Sequence, residues 1–115
     1  MKELIASAFL GLISMASTGQ DWCPKGKEVI VSPSVKMTVE GIVDYEDENF
    51  CRILINQGTV KTILMFTEKG DYYRIIQYEY GKKRTELDIK GRKAVLKIFD
   101  QKGEVVEELR SREAF

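Results

Sequence analysis

The chain has 115 residues, of which 43% are hydrophobic, and its 18 basic and 18 acidic residues give a net charge of zero. This length and hydrophobic content are typical of one folded domain rather than a disordered chain. Because neutralising phosphates requires a basic excess, the charge balance excludes nucleic acid as a predicted partner and gives no reason to expect an anionic membrane surface.

The N-terminus has the pattern of a secretory signal peptide. Met-Lys-Glu precedes an apolar run at 4–16, and the small residues Ser17-Thr18-Gly19 follow it. Such a signal consists of a charged start, an apolar stretch of about 7–15 residues and a cleavage region of small residues. We therefore expect residues 1–19 to direct export, and residues 20–115 to form a single β domain in the periplasm or outside the cell.

Two other interpretations of the N-terminal run fit less well. Its 13 residues are fewer than the ~20 that a membrane-spanning helix needs, so no membrane span is predicted in the mature chain. An amphipathic or buried first helix of a cytosolic domain is also disfavoured, because only Ser7 and Ser14 are polar and no charged face exists.

Cys23 and Cys51 are the only cysteines. In an oxidising compartment, such a pair predicts one disulfide bond. Lipid attachment at Cys23 is disfavoured, because the preceding Gln20-Asp21-Trp22 is charged and bulky where a lipoprotein signal has small apolar residues. Two buried free thiols remain as the other alternative.

Turn signals divide the rest of the chain into short strands. Glycines stand 10 to 12 residues apart at positions 58, 70, 81, 91 and 103, a spacing typical of sandwiches and barrels. Short connections make consecutive strands antiparallel. The sequence therefore predicts an all-β fold, a small antiparallel meander of seven or eight strands that forms a barrel or a two-layer sandwich with one disulfide. The predicted strands are 27–32, 35–46, 50–56, 59–67, 71–80, 84–90, 93–99 and 104–110, the last with a short helix as its alternative.

Alternation along the strands predicts which residues form the core. The stretch 35–45 alternates, which places Val39 and Tyr45 on the same face. The stretches 51–55 and 60–66 are apolar on both faces and are therefore predicted to be the central strands. Their predicted buried residues are Ile53, Ile55, Ile63 and Met65.

The residue types available argue against catalysis. The chain has no histidine, which removes histidine-based acid–base chemistry and histidine metal sites. Two cysteines are too few for a structural zinc site. The acidic segment 44–48 lacks the spacing of a calcium loop, so we expect a solvated turn there. The sequence predicts a protein that is not an enzyme, with no cofactor and no metal.

The predicted strand 71–80 carries four of the five tyrosines. Alternation places Tyr72, Arg74, Tyr78 and Tyr80 on one face. Tyrosine and arginine are enriched where proteins bind one another, so we predict that these four residues are at least partly exposed and form the binding face. The alternative is that the tyrosines pack on the core with their hydroxyl groups in water.

These observations predict an exported, non-catalytic binding module that contacts a protein partner, such as an inhibitor or accessory protein of the cell envelope. The alternative is a small β-barrel carrier of an apolar or sugar-like ligand. The two differ in the placement of Leu64, Phe66, Ile76 and Tyr78. A carrier needs these residues to line a cavity of about 300 Å³ or more.

Overall fold

The computed structural model describes residues 22–111, and the predicted signal peptide lies outside them. Eight strands form a single sheet in chain order, and each is antiparallel to the next. The all-β meander is confirmed, and the C-terminal stretch is a strand rather than a helix. The strands are β1 (Glu28–Ser32), β2 (Val35–Tyr45), β3 (Glu48–Gln57), β4 (Val60–Thr67), β5 (Tyr72–Glu79), β6 (Lys82–Lys90), β7 (Lys93–Phe99) and β8 (Val105–Ser111).

The sheet is open. Within residues 22–111, backbone contacts join only strands that are consecutive in the chain, so β1 and β8 are its two edges. The sequence left a barrel and a two-layer sandwich undecided, and the structure is neither of these: it is a single curved sheet that does not close. The described part of the chain contains no helix long and apolar enough to cross a membrane.

A β-bulge in β2 lets this one strand supply apolar side chains to both faces of the sheet. Glu40 and Gly41 together occupy the place opposite Arg52 on β3. Gly41 has a φ of +117°, a conformation that residues with a Cβ rarely adopt. The extra residue reverses the alternation, so the prediction that Val39 and Tyr45 share a face is wrong. Val39 packs on one face and Tyr45 on the other.

We call the two sides face A and face B. Face A carries the larger buried cluster. Before β1, Trp22 and Cys23 pack on this face, and residues 26–27 then extend the backbone pairing with β2. The amide of Gly26 donates to the carbonyl of Val39 over 2.8 Å, and the amide of Val39 donates to the carbonyl of Lys27 over 2.9 Å. Trp22 packs edge-on against Phe66. The buried residues of face A are Cys23, Met37, Val39, Cys51, Ile53 and Phe66.

Cys23 and Cys51 lie at disulfide distance, with their Cα atoms 5.4 Å apart. Both are buried within the face A cluster. The predicted pairing is confirmed, and it fixes the chain before β1 to the middle of β3.

Two of the four predicted core residues are less buried than expected. Ile53 and Met65 are buried, but Ile55 and Ile63 are only half-buried. Burial is greatest around the disulfide and around Phe50 on face B. Ile55 and Ile63 lie closer to the turn at 58–59, towards the other end of β3 and β4.

The acidic segment 44–48 forms a tight turn between β2 and β3. Its two central residues, Glu46 and Asp47, have φ values of 51° and 63°, and positive φ at both positions is typical of a two-residue hairpin turn. Both residues are exposed. Within residues 22–111, no group of three or more acidic or cysteine side chains is placed to hold a metal ion. The predicted turn is confirmed, with both of its central residues exposed.

Candidate functional site

Face B is organised around Phe50 on β3, which is fully buried. Its ring is edge-on to Tyr45, with centroids 6.0 Å apart, and to Tyr72, with centroids 5.0 Å apart. Edge-to-face packing of this kind is favoured by the quadrupoles of the rings. Since Tyr45 belongs to β2 and Tyr72 to β5, the curved sheet brings together side chains from strands that are not neighbours.

Arg74 of β5 is at the centre of a charged cluster and only 5% exposed. Register places it opposite Asp88 of β6, whose carboxylate accepts from the Arg74 Nε over 2.6 Å. A second guanidinium nitrogen bonds the Glu86 carboxylate, and the guanidinium carbon lies 3.9 Å from the ring centroid of Tyr45. Burial acts to lower the pKa of Arg74, but the hydrogen bond and charge of Asp88 outweigh it, so the pKa is raised. The guanidinium is therefore charged and held in place.

Tyr72 connects β5 to the turn between β2 and β3. Its hydroxyl group donates a 2.9 Å hydrogen bond to a carboxylate oxygen of Glu46, and the Lys90 ammonium lies 5.0 Å from its ring centroid. Burial, and then the bond to Glu46, raise the pKa of the phenol well above its ordinary value. Tyr72 is therefore a neutral, ordered donor that contributes to the packing of face B.

The prediction that all four binding-face residues are accessible is wrong for Tyr72 and Arg74. Tyr72 is only 5% exposed because its ring packs on Phe50, and Arg74 is enclosed by two carboxylates and the Tyr45 ring. Tyr78 is half-buried. Tyr80 follows β5 in a turn, with a φ of 52°, and is 78% exposed.

A groove of about 280 Å³ crosses face B beside Arg74. Arg74 and Tyr78, two of the four predicted residues, line it together, whereas Tyr72 and Tyr80 do not. The groove is mostly apolar, with three charged residues among those that line it. It is lined by Val43, Asp44, Tyr45, Arg52, Ile63, Met65, Arg74, Ile76 and Tyr78.

The sequence did not indicate that β2 and β3 contribute to this groove. Simple alternation predicts the wrong face for Tyr45, because the bulge at Gly41 reverses the alternation. Arg52 enters the groove from β3, and its Nε lies 2.8 Å from a carboxylate oxygen of Glu40. The one available signal was Gly41, since a glycine inside a strand pattern often marks a bulge.

A larger hollow of about 610 Å³ lies at one end of the sheet, near the turn at 91–92. Its lining carries charges of both signs, including Glu48, Asp71, Lys90 and Arg92. A hydrogen bond from the Thr67 hydroxyl lowers the pKa of Asp71. Tyr72, one of the four predicted residues, also lines this hollow, but its other lining residues apart from Gly91 are charged. The groove on face B has six apolar or aromatic lining side chains and contains two of the predicted residues, so we take it as the candidate site.

One relative is similar over nearly the whole chain. It is a protein of Aquifex aeolicus (strain VF5), described as an uncharacterized protein, which is 34% identical over 116 residues covering 96% of this chain and 95% of its own length. The chain belongs to the family of this Aquifex protein. No protein-family model and no solved structure matches the chain.

Proposed function

We propose that the protein is an exported, non-catalytic binding module of the cell envelope, of the inhibitor or accessory type. Its groove on face B receives an apolar or aromatic side chain of a protein partner. The observation that carries this proposal is the combination of a half-exposed Tyr78 with a mostly apolar groove whose buried guanidinium, Arg74, is already held by Asp88 and Glu86.

The state of the polar groups favours binding over catalysis. Arg74 is held by Asp88 and Glu86, and the hydroxyl of Tyr72 is held by Glu46. Groups that are bonded in this way keep the groove in one shape, which lowers the entropy lost when a partner binds. Arg74 and Tyr72 are therefore not available as an acid, base or nucleophile.

The dimensions of the groove favour a protein partner over a carried ligand. Its volume of about 280 Å³ falls just below the roughly 300–1,000 Å³ typical of small-molecule pockets. Register also places Leu64 and Phe66 on face A, whereas Ile76 and Tyr78 are on face B. These four residues therefore do not line one cavity, as a barrel carrier requires.

We expect Tyr78→Ala to weaken partner binding by about 30-fold, the effect of losing a binding hot spot of ~2 kcal/mol. The immobilised protein would be used to capture its partner from an extract of its native envelope, and the affinity of the identified protein would then be measured. Tyr80→Ala is the matched control, because Tyr80 is an exposed tyrosine of the same strand end that does not line the groove. Equal binding by the two variants would count against the groove, provided that both melt within a few degrees of the original protein.

Export has a separate test. Expression with the native N-terminus is expected to give a processed species that begins between Ser17 and Gln20, because the small residues of the predicted signal end there. N-terminal sequencing and mass measurement of the protein recovered from periplasmic and external fractions would locate the cut. Recovery of uncleaved protein in the cytoplasm alone would refute export while leaving the binding proposal open to its own test.

A further inference from the structure

Strand β8 is an exposed edge. Within residues 22–111 it pairs only with β7, and its residues from Val105 to Arg110 are all exposed. The free side of such a strand presents unpaired backbone amide and carbonyl groups, which are a template for another strand. Apart from the irregularity between Ile98 and Phe99 on β7, its pairing is regular through Ser111.

An apolar row on face A runs across the sheet and ends at this edge. Each member is paired directly with the next, from β2 through β8. Burial decreases along the row, from the fully buried Val39 to Leu109, which is 50% exposed. The row therefore stops at β8 without a neighbour for its last side chain. Its members are Val39, Ile53, Leu64, Ile75, Leu87, Leu96 and Leu109.

We propose that β8 pairs antiparallel with β8 of a second copy, so that Leu109 lies opposite its own equivalent. The two sheets then join into one, and the apolar row continues from one copy into the other. Such a dimer has a two-fold axis perpendicular to the sheet, which is the symmetry of most homodimers. Because directly opposed residues must point to the same face, the axis has to pass through a residue position rather than between two.

Charge selects Leu109 as that position. With the axis there, Glu108 of each copy lies opposite Arg110 of the other, and Glu107 lies opposite Ser111. Opposite charges placed across a strand pair stabilise it, whereas like charges destabilise it. The side chains of Glu108 and Arg110 already lie on one face, with the Arg110 Nε 2.7 Å from a Glu108 carboxylate oxygen.

The other axes inside β8 bring like charges together, whereas an axis at either end of the strand, Val105 or Ser111, opposes only one of its residues. Centring on Glu107, Glu108 or Arg110 places that charged residue opposite its own copy, and centring on Val106 places Glu108 opposite Glu104. Each arrangement carries a repulsion that the Leu109 register lacks. The sequence of β8 is therefore self-complementary in one register.

The opposite edge is less suited to pairing. Strand β1 has five residues, and its register with β2 is irregular between Ile30 and Ser32. Pairing of β1 with β8 of another copy would also repeat head to tail, which gives rings or open filaments instead of a two-fold dimer. An exposed Ile30 on β1 nevertheless provides a matched control for Leu109.

Sedimentation equilibrium of the purified protein over a wide concentration range tests the proposal. We expect a monomer–dimer equilibrium whose dissociation constant rises at least about tenfold, a change of ~1.4 kcal/mol, in Leu109→Arg and in Glu108→Arg. The first variant places two arginines at the axis, and the second places an arginine opposite Arg110. The charge-swapped double variant Glu108→Arg/Arg110→Glu is expected to restore dimerisation, because each opposed pair is again attractive.

The control Ile30→Arg is expected to leave the dimer unchanged, and far-UV circular dichroism checks that every variant is folded. A protein that stays monomeric at the highest concentrations would overturn the proposal. So would a dimer that is unaffected by Leu109→Arg, a double variant that does not recover, or assemblies that grow without limit and are dispersed by Ile30→Arg.

Discussion

Replacing Arg74 with alanine is expected to lower the free energy of unfolding by about 3–5 kcal/mol, the usual cost of removing one partner from a buried charge cluster. The change leaves the carboxylates of Glu86 and Asp88 facing one another without a cation, in a place where Glu86 is only 13% exposed. It also removes the guanidinium that packs on the ring of Tyr45. Urea denaturation followed by far-UV circular dichroism would measure the loss.

Arg52→Ala is the matched control for this prediction. Arg52 belongs to the same face and is paired with Glu40, but its side chain is 40% exposed, so we expect a loss of about 0–1 kcal/mol, as for surface ion pairs. Neutralising both carboxylates in the Arg74→Ala background, with Glu86→Gln and Asp88→Asn, is expected to recover part of the stability. If Arg74→Ala costs no more than Arg52→Ala, the buried cluster does not stabilise the fold.

Loss of the disulfide is expected to lower the free energy of unfolding by about 2–4 kcal/mol, the typical contribution of such a bond. Cys23 and Cys51 are 28 residues apart, so the bond restricts a long loop in the unfolded chain. It also holds the buried segment before β1 against face A. Chemical denaturation of the double variant Cys23→Ala/Cys51→Ala, compared with the oxidised protein, would give the difference.

Reduction provides an independent check of the same bond. Dithiothreitol is expected to lower the melting temperature of the original protein and to leave that of the double variant unchanged, because the variant has no bond to reduce. A melting temperature that does not respond to reductant in either protein would mean that the bond adds no stability.

The strands could be predicted from the sequence because their signals are local. Each signal is contained within a few residues of the sequence. Examples are the turn glycines Gly58 and Gly91 and the strict alternation of polar and apolar residues at 84–90. The open shape of the sheet could not be predicted, because closure depends on twist and stagger accumulated over all eight strands. No short segment carries that information.

The candidate site was predicted only in part for a related reason. Alternation correctly placed Arg74 and Tyr78 on one face, since both belong to one strand. The burial of Arg74 depends on Asp88, which lies opposite it only in the register that β5 and β6 adopt. The role of Tyr45 depends on the bulge at Gly41, a one-residue shift that reverses every later side chain of the strand.

The order of the sheet also bears on how the chain folds. Each strand of the described region pairs with the one just before it, so every pairing step closes only a short loop, and folding is fast when contacts are local in sequence. During synthesis the N-terminal part of the chain emerges first, so each strand can pair with the growing sheet as soon as it appears. Cys23 and Cys51 are both present once β3 has emerged, so their bond can form before the exposed edge at β8 exists.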